Sequence, residues 1–205
     1  MKTHHYFSQD EKTQSKPKAF TYTYKTKTFT FITDTGVFSA KKVDSATDTL
    51  LNNIPPLEGS LLDMGCGYGP IGIVLAKEYN LQLTQADINP RAVRLAIANA
   101  ALNNVSSKVI QSDGFSNIKE QFNTIVINPP IHAGKSIIFN MYEKSYQHLL
   151  PGGSLYVVIL KKHGAESSIK RLNENFGNCN IIYKKKGCFL LMAKKQKFNA
   201  VFDAL

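Results

Sequence analysis

A mainly parallel α/β sheet entered through a β-hairpin is the fold class that this sequence predicts, on three observations. From Leu61 onward, short apolar strand segments alternate with helical ones, the pattern of parallel strands joined by right-handed crossovers. The run Asp63-Met64-Gly65-Cys66-Gly67-Tyr68-Gly69-Pro70 stands where a strand gives way to a helix. Open α/β sheets bind their ligands at such carboxyl ends. Upstream, aromatic residues recur with period two from Phe20 to Phe31, which marks half-buried strands.

Taken in order, residues 1 to about 18 are polar and Lys-rich and are expected to be mobile. Phe20, Tyr22 and Tyr24 form one strand and Phe29 and Phe31 the next, with a turn at Lys25 to Lys27. Asp34-Thr35-Gly36 punctuates a second turn. A short helix follows, with Ser45-x-x-Asp48 as a capping box and Pro55-Pro56 barring continuation beyond Ile54. Next come a strand at Leu61 to Met64, a helix at Pro70 to Tyr79, a strand at Leu81 to Asp87 and an Ala-rich helix at Pro90 to Leu102. Strands at Val109-Ile110 and Thr124 to Ile127 precede a helix over 136–150, stopped by Pro151-Gly152-Gly153. Leu155 to Leu160 is a strand and Ala165 to Phe176 a helix. The last strands, Ile181 to Tyr183 and Cys188 to Ala193, are separated by only Lys184 to Gly187, too few residues for a parallel crossover, so they pair antiparallel. Residues 1–44 form an N-terminal extension with the hairpin, and 45–205 the main domain.

Composition narrows the function classes. A chain of 205 residues with 43% hydrophobic content builds one sizeable core. No apolar run approaches the roughly 20 residues of a bilayer span, and the start lacks the apolar stretch of a signal peptide. Cys66, Cys179 and Cys188 suit neither a zinc site nor a disulfide framework. A cytoplasmic protein with no membrane and no metal partner is expected. The net charge of +10 and pI near 9.4 point to polyanions, RNA first.

Gly67-x-Gly69-x-x-Gly72 also matches a dinucleotide fingerprint, but two features exclude that reading. Pro70 and Ile71 place the third glycine inside the helix, and the acidic Asp63 precedes the loop, where a pyrophosphate gains nothing from a carboxylate. A cationic, phosphate-free ligand is not repelled by one. Asp63-x-Gly-x-Gly-x-Gly resembles the opening motif of the class I S-adenosylmethionine-dependent methyltransferases. The resemblance implies a Rossmann-like sheet of seven strands, mostly parallel with an antiparallel last strand. It also implies that Asp63, Gly65, Gly67 and Gly69 wrap the amino-acid end of the cofactor. By the same resemblance Asp87, followed by Ile88 in Asp87-Ile88-Asn89-Pro90, holds both ribose hydroxyls; read alone, Asp87 is equally a helix N-cap. Asp113 and Gly114 would meet the adenine, with Phe115 against its ring.

Asn128-Pro129-Pro130-Ile131 follows the fourth strand of this domain. Methyl transfer from a sulfonium needs a nitrogen lone pair aimed at a carbon about 3 Å away. In an exocyclic amine that lone pair is delocalised. The Asn128 oxygen and the Pro129 carbonyl can accept the two N–H bonds and free it, held rigid by the paired prolines. Asn128 would also border the cofactor. Asn-Pro-Pro marks methyltransferases of adenine, guanine or glutamine amino groups. The longer strings Asn128-Pro-Pro-Ile-His-Ala-Gly-Lys135, Gly36-Val37-Phe38-Ser39 and Lys161-Lys162-His163-Gly164-Ala165 narrow the match. Over Tyr6 to Lys195 the chain is similar to the short, single-domain form of the small-subunit ribosomal RNA guanine-N2 methyltransferases (RsmC-type). Where that family often carries an aromatic residue, this chain has Ile131, which only presses on the base, so the stack would come from His132 or Phe38. Lys135, Lys161 and Lys162 are candidate phosphate contacts. Arg91 and Arg94 are expected to face solvent, and His163 to be an ordinary loop histidine. The expected partner is ribosomal RNA or the small ribosomal subunit. A protein glutamine-amide methyltransferase and a non-catalytic, RNA-binding ribosome-assembly factor are the rival readings.

Overall fold

The computed structural model describes residues 14–37, 42–130 and 134–197. The hairpin consists of β1 (Lys18–Tyr24) and β2 (Lys27–Thr33), paired antiparallel from Lys18 opposite Thr33 to Tyr24 opposite Lys27. Then come α1 (Ser45–Asn53), β3 (Ser60–Met64), α2 (Pro70–Tyr79), β4 (Gln82–Asp87), α3 (Pro90–Leu102), β5 (Ser107–Gln111) and β6 (Phe122–Ile127). The chain closes with α4 (Lys135–His148), β7 (Leu149–Leu160), a single 3₁₀ turn at Lys161–His163, α5 (Ala165–Phe176), β8 (Asn180–Lys185) and β9 (Cys188–Lys194).

The main sheet runs in the order β5-β4-β3-β6-β7-β9-β8. The first five strands are parallel and β9 is antiparallel to both neighbours. The expected seven-stranded, mostly parallel α/β sheet with its hairpin is therefore borne out. Lys186 and Gly187, at φ 48° and 76°, make the tight β8–β9 turn, whose two left-handed positions match the twist of a hairpin. Strand alternation divides the core. Leu61, Val126, Tyr156 and Val158 face α1, α2 and the hairpin, while Leu62, Met64, Ile125 and Val157 face the side covered by α4 and α5.

The hairpin is anchored by apolar and polar contacts together. Phe29 and Phe31 are fully buried, and loss of either ring would cost about 3–5 kcal/mol. Among the described residues the free edge of β2 has no strand beside it, yet backbone groups along it are paired. Asn99 bonds both the N–H (2.7 Å) and carbonyl (2.8 Å) of Ile32, and Asn103 those of Thr30 (3.0 and 2.8 Å). A four-residue step on α3 thus matches a two-residue step on the strand, satisfying an edge that would otherwise be open.

Three expectations are corrected. The cap of α1 is Asp44, whose Oδ1 accepts from Ala46 (2.9 Å) and Thr47 (3.1 Å). Asp48 instead accepts the Tyr22 hydroxyl at 2.9 Å and ties α1 to the hairpin. Second, α4 ends at His148, and β7 begins before the prolyl-glycine run. Its pairing with β6 jumps from Leu149 opposite Phe122 to Ser154 opposite Thr124, so Pro151-Gly152-Gly153 sits in a bulge. Third, Arg91 is not solvent-facing. It donates to the Thr35 carbonyl at 2.5 Å and pairs with Asp34 at 3.8 Å, clasping the turn after the hairpin. Among the described residues no helix is long and apolar enough to cross a membrane.

Candidate active site

The sheet brings the motif residues together at the carboxyl ends of its parallel strands. After β3 the backbone N–H groups of Gly65 and Cys66 both donate to the Ala86 carbonyl at the end of β4, at 2.8 and 3.0 Å. Gly65, Gly67 and Gly69 all hold positive φ (72°, 58° and 91°), a conformation that costs residues with a Cβ roughly 1–2 kcal/mol. Their surroundings differ. A Cβ on Gly65 or Gly67 would meet nothing within 4 Å, whereas one on Gly69 would lie 2.8 Å from Gln85 and 2.9 Å from Ile73. Gly65 and Gly67 therefore present open backbone to a ligand, and Gly69 permits close packing onto the sheet.

Asp63 lies beneath this loop, 1% exposed. Its Oδ2 accepts the Gly72 N–H at 2.8 Å, in the first turn of α2. Burial pushes its carboxyl up to about 7, with the charge of Asp87 adding and the hydrogen bonds from Gly72 and Gln85 pulling back. Asp87, half-buried at the end of β4, takes the Gly67 N–H on Oδ2 at 2.8 Å and the Asn89 N–H on Oδ1 at 2.9 Å. The cap of α3 is Asn89, which accepts from Arg91 at 2.9 Å, so Asp87 is free of that duty. Burial raises the Asp87 carboxyl above its ordinary value, against the pull of the Asn89, Gly67 and Ile88 N–H groups. Ile88 follows, its carbonyl accepting from Gln111 at 3.3 Å.

The turn after β5 completes this half of the site. The Ser112 N–H donates to the Asp87 carbonyl at 2.9 Å, and its hydroxyl to the Gly114 carbonyl at 2.7 Å. Gly114 has φ 51°, with open space where a Cβ would stand. Asp113 is exposed, and its side chain has no partner among the described residues. Phe115 is 8% exposed, belongs to the core cluster on the α4 and α5 side of the sheet and packs on His148 with ring centroids 4.7 Å apart. Three open glycines and a carboxylate with both oxygens anchored yet still able to accept fit S-adenosylmethionine. Its positive sulfonium and uncharged ribose need acceptors and close backbone approach, and no phosphate-binding cation.

Asn128 directly follows β6, in the middle of the sheet. Its Nδ2 donates to the Thr47 hydroxyl at 3.1 Å. Thr47 lies on α1 and is 2% exposed. In this arrangement the nitrogen faces Thr47 and Oδ1 has no hydrogen-bond partner among the described residues. On the far side of Asn128 from the glycine loop lies a cavity of about 210 Å³. Its polar lining includes Asp44, Asn128 and His163, and Pro129, Ile138, Val158, Ile159 and Leu160 form the apolar wall. Pro129 is buried and Pro130 half-buried. The strand order explains the division. The candidate cofactor groups stand at the ends of β3, β4 and β5, the cavity opens at the ends of β6 and β7, and Asn128 stands between.

Two of the predicted lysines lie close in sequence to the cavity lining. Lys135 is exposed at the start of α4, three residues before Ile138 of the cavity wall. Lys161 follows Leu160, its N–H donating to the Gly187 carbonyl at 2.7 Å, its ammonium 3.7 Å from Glu166 and 66% exposed. Phe38, Ile131 and His132 fall outside the described residues. Sequence reasoning missed Asp44 and Thr47 and set aside His163. The one available signal was the string Asp44-Ser45-Ala46-Thr47, a helix start that nothing in the linear pattern places beside residue 128. Among the described residues no cluster of His, Cys, Asp or Glu could hold a metal.

Comparison with known proteins agrees with this geometry. Residues 28–192 match the family described as the methyltransferase small domain. The uncharacterized protein YbxB of Bacillus subtilis is 41% identical, the match covering 93% of this chain and 98% of YbxB. Ribosomal RNA small subunit methyltransferase C of Hamiltonella defensa is 36% identical over 72% of this chain and 45% of its own length, so the chain spans less than half of that relative. Among solved structures, the 16S rRNA N2-guanine methyltransferase RsmC of T. thermophilus, in complex with S-adenosylmethionine and guanosine, superposes with a TM-score of 0.80 at 25% identity. That match covers 89% of this chain and 52% of the other.

Proposed function

This chain belongs to the methyltransferase small domain family and takes S-adenosylmethionine as cofactor, and from that premise we propose that it methylates guanine N2 of small-subunit ribosomal RNA in the cytoplasm. The observation that carries the reading is the placement of Asn128. Its amide is oriented by Thr47 and stands between the cofactor groups and the cavity.

In this mechanism Asp87 receives the ribose hydroxyls, Gly65 and Gly67 admit the amino-acid end, and Asp113 and Gly114 border the adenine. Asp63 holds the glycine loop from below. The bound cofactor supplies an electrophilic methyl carbon. Asn128 Oδ1 and the Pro129 carbonyl accept the two amine N–H bonds, turning the nitrogen lone pair toward that carbon. Alignment of this kind contributes several kcal/mol to a displacement. As the N–C bond forms, the methyl's bond to sulfur would break with its electron pair staying on sulfur as a neutral thioether, and the amine proton would then leave to solvent, so no strong base is needed. Pro130 stiffens the loop, with Ile131 against the base and Phe38 or His132 stacking on it. Lys135 and Lys161 hold phosphates at the rim. The net charge of +10 and the likeness to RsmC proteins favour RNA over a protein acceptor.

The test is transfer of labelled methyl from S-adenosylmethionine to assembled small subunits, naked ribosomal RNA and protein fractions from a strain lacking this protein. Label released from RNA as N2-methylguanosine is the expected result. Label in a protein glutamine would overturn the RNA assignment. No label at all, beside intact cofactor binding, would overturn turnover itself and leave an RNA-binding assembly factor.

A further inference from the structure

The acceptor cavity contains a carboxylate that the methyl-transfer mechanism does not use. Asp44, half-buried, lines it together with Asn128, Pro129 and His163. Its Oδ1 is occupied by the N–H groups of Ala46 and Thr47, at 2.9 and 3.1 Å. Its Oδ2 has no partner among the described residues. Thr47 links the two acceptors of the cavity, its N–H donating to Asp44 and its hydroxyl accepting from Asn128 at 3.1 Å. A single residue thus sets the spacing between Asp44 and Asn128, in a cavity whose other wall is apolar.

We infer that Asp44 is a specificity-determining residue, accepting a hydrogen bond from the ring N–H beside the amine that is methylated. The inference rests on the guanine reading above and states what selects that base. Guanine carries two kinds of donor next to each other on one edge, the 2-amino group and N1–H, and the cavity lining includes two acceptor side chains that both bond to Thr47. Adenine has an unprotonated ring nitrogen beside its amine, and a glutamine amide has a carbonyl oxygen there. Either would turn a lone pair toward the carboxylate. Polar groups left unpaired in a closed site cost far more than a lost methylene, which is how sites built around a donor reject analogues lacking it.

The experiment uses an RNA whose methylated guanine, mapped in the labelling test, is replaced by 2-aminopurine. This base keeps the amine at the same ring position but presents a lone pair at N1. The natural protein should prefer guanine by about 100-fold or more in kcat/KM. Asp44→Asn still caps α1, since Asn and Asp are equivalent there, and its amide can turn an N–H toward the analogue. The preference should fall below about tenfold, with cofactor affinity unchanged. Asp44→Ser, a cap with a shorter reach, should lower guanine turnover without improving the analogue. Equal losses on both substrates in Asp44→Asn would overturn the inference, leaving Asp44 as a helix cap while guanine methylation stands. Failure of the natural protein to methylate either RNA would overturn the guanine reading and this inference with it.

Discussion

The two halves of the site are built by different means. The cofactor half comes from loops that each follow their own strand, Gly65 to Gly69, Asp87 to Asn89 and Ser112 to Gly114. Short hydrogen bonds between neighbouring strand ends hold it together, from the Gly67 N–H to the Asp87 carboxylate and from the Ser112 N–H to the Asp87 carbonyl. The acceptor half draws on residues 44–46, 128–129, 138, 158–160 and 163, with Thr47 behind Asn128, which meet only after α1 has docked over β7 and β9. That docking depends on the hairpin, where Tyr22 bonds Asp48 and the Tyr24 hydroxyl bonds the Leu51 carbonyl at 2.9 Å. In the proposed mechanism cofactor binding is thus a property of local loops, and acceptor choice a property of how an N-terminal segment packs.

The sharpest way to break this comparison is a pair of substitutions, one in each half. Asn128→Ala removes an acceptor aligned with the reacting amine, and kcat should fall about 100- to 1,000-fold, the range seen for groups that stabilise a transition state. Cofactor affinity by calorimetry should stay within about threefold. Asp87→Ala should do the reverse, raising the cofactor Kd by about tenfold or more through two lost charge-assisted hydrogen bonds, with KM for RNA unchanged. Equal loss of turnover and cofactor binding in Asn128→Ala would erase the division.

A smaller effect tests how the halves are joined. Thr47→Val keeps shape but removes the hydroxyl that orients the Asn128 amide. The amide is then free to flip, and kcat should drop about fivefold, the worth of one hydrogen bond of about 1 kcal/mol. KM and the cofactor Kd should hold, and Thr47→Ser should restore the rate. A merely structural role for Thr47 would lower thermal stability without that recovery.

The smallest effect concerns the floor of the cofactor half. Burial raises the Asp63 carboxyl from its ordinary range to about 7. The folded state therefore holds a proton that the unfolded chain releases near pH 4. Stability from this group is fully present below about pH 4 and is lost as pH rises toward 7. Asp63→Asn has no such titration. The melting temperature of the natural protein relative to this variant should fall by a few degrees between pH 5 and 7.5. A constant difference across that interval would show that Asp63 does not titrate there.

Legibility followed the same division. The boundaries of α2, α3 and α5 agree with expectation because each is marked locally, Pro70 and Pro90 opening the first two and Gly177 closing the third. The cap of α1 was misplaced by one residue because Asp44 and Ser45 are both good caps in isolation; the Tyr22 hydroxyl claims Asp48 only in the folded chain. Arg91 looked exposed because its partners, Asp34 and Thr35, are more than 50 residues away in sequence. In the same way Pro151-Gly152-Gly153 read as a break, because a bulge is a mismatch between two strands and only one of them is present in the local string.

By itself the sequence determined the alternation of strands and helices, the glycine loop with its acidic partners, and the Asn-Pro-Pro at a strand end. These are encoded by short-range sterics and by residue types within a few positions of one another. Tertiary structure alone decided that Gly65 and Gly67 open toward a ligand while Gly69 packs inward, that Asn128 offers its oxygen because Thr47 holds its nitrogen, and that Asp44 shares its cavity. Those outcomes depend on which distant side chains fill the space beside each group, and periodicity does not encode the packing of one element against another.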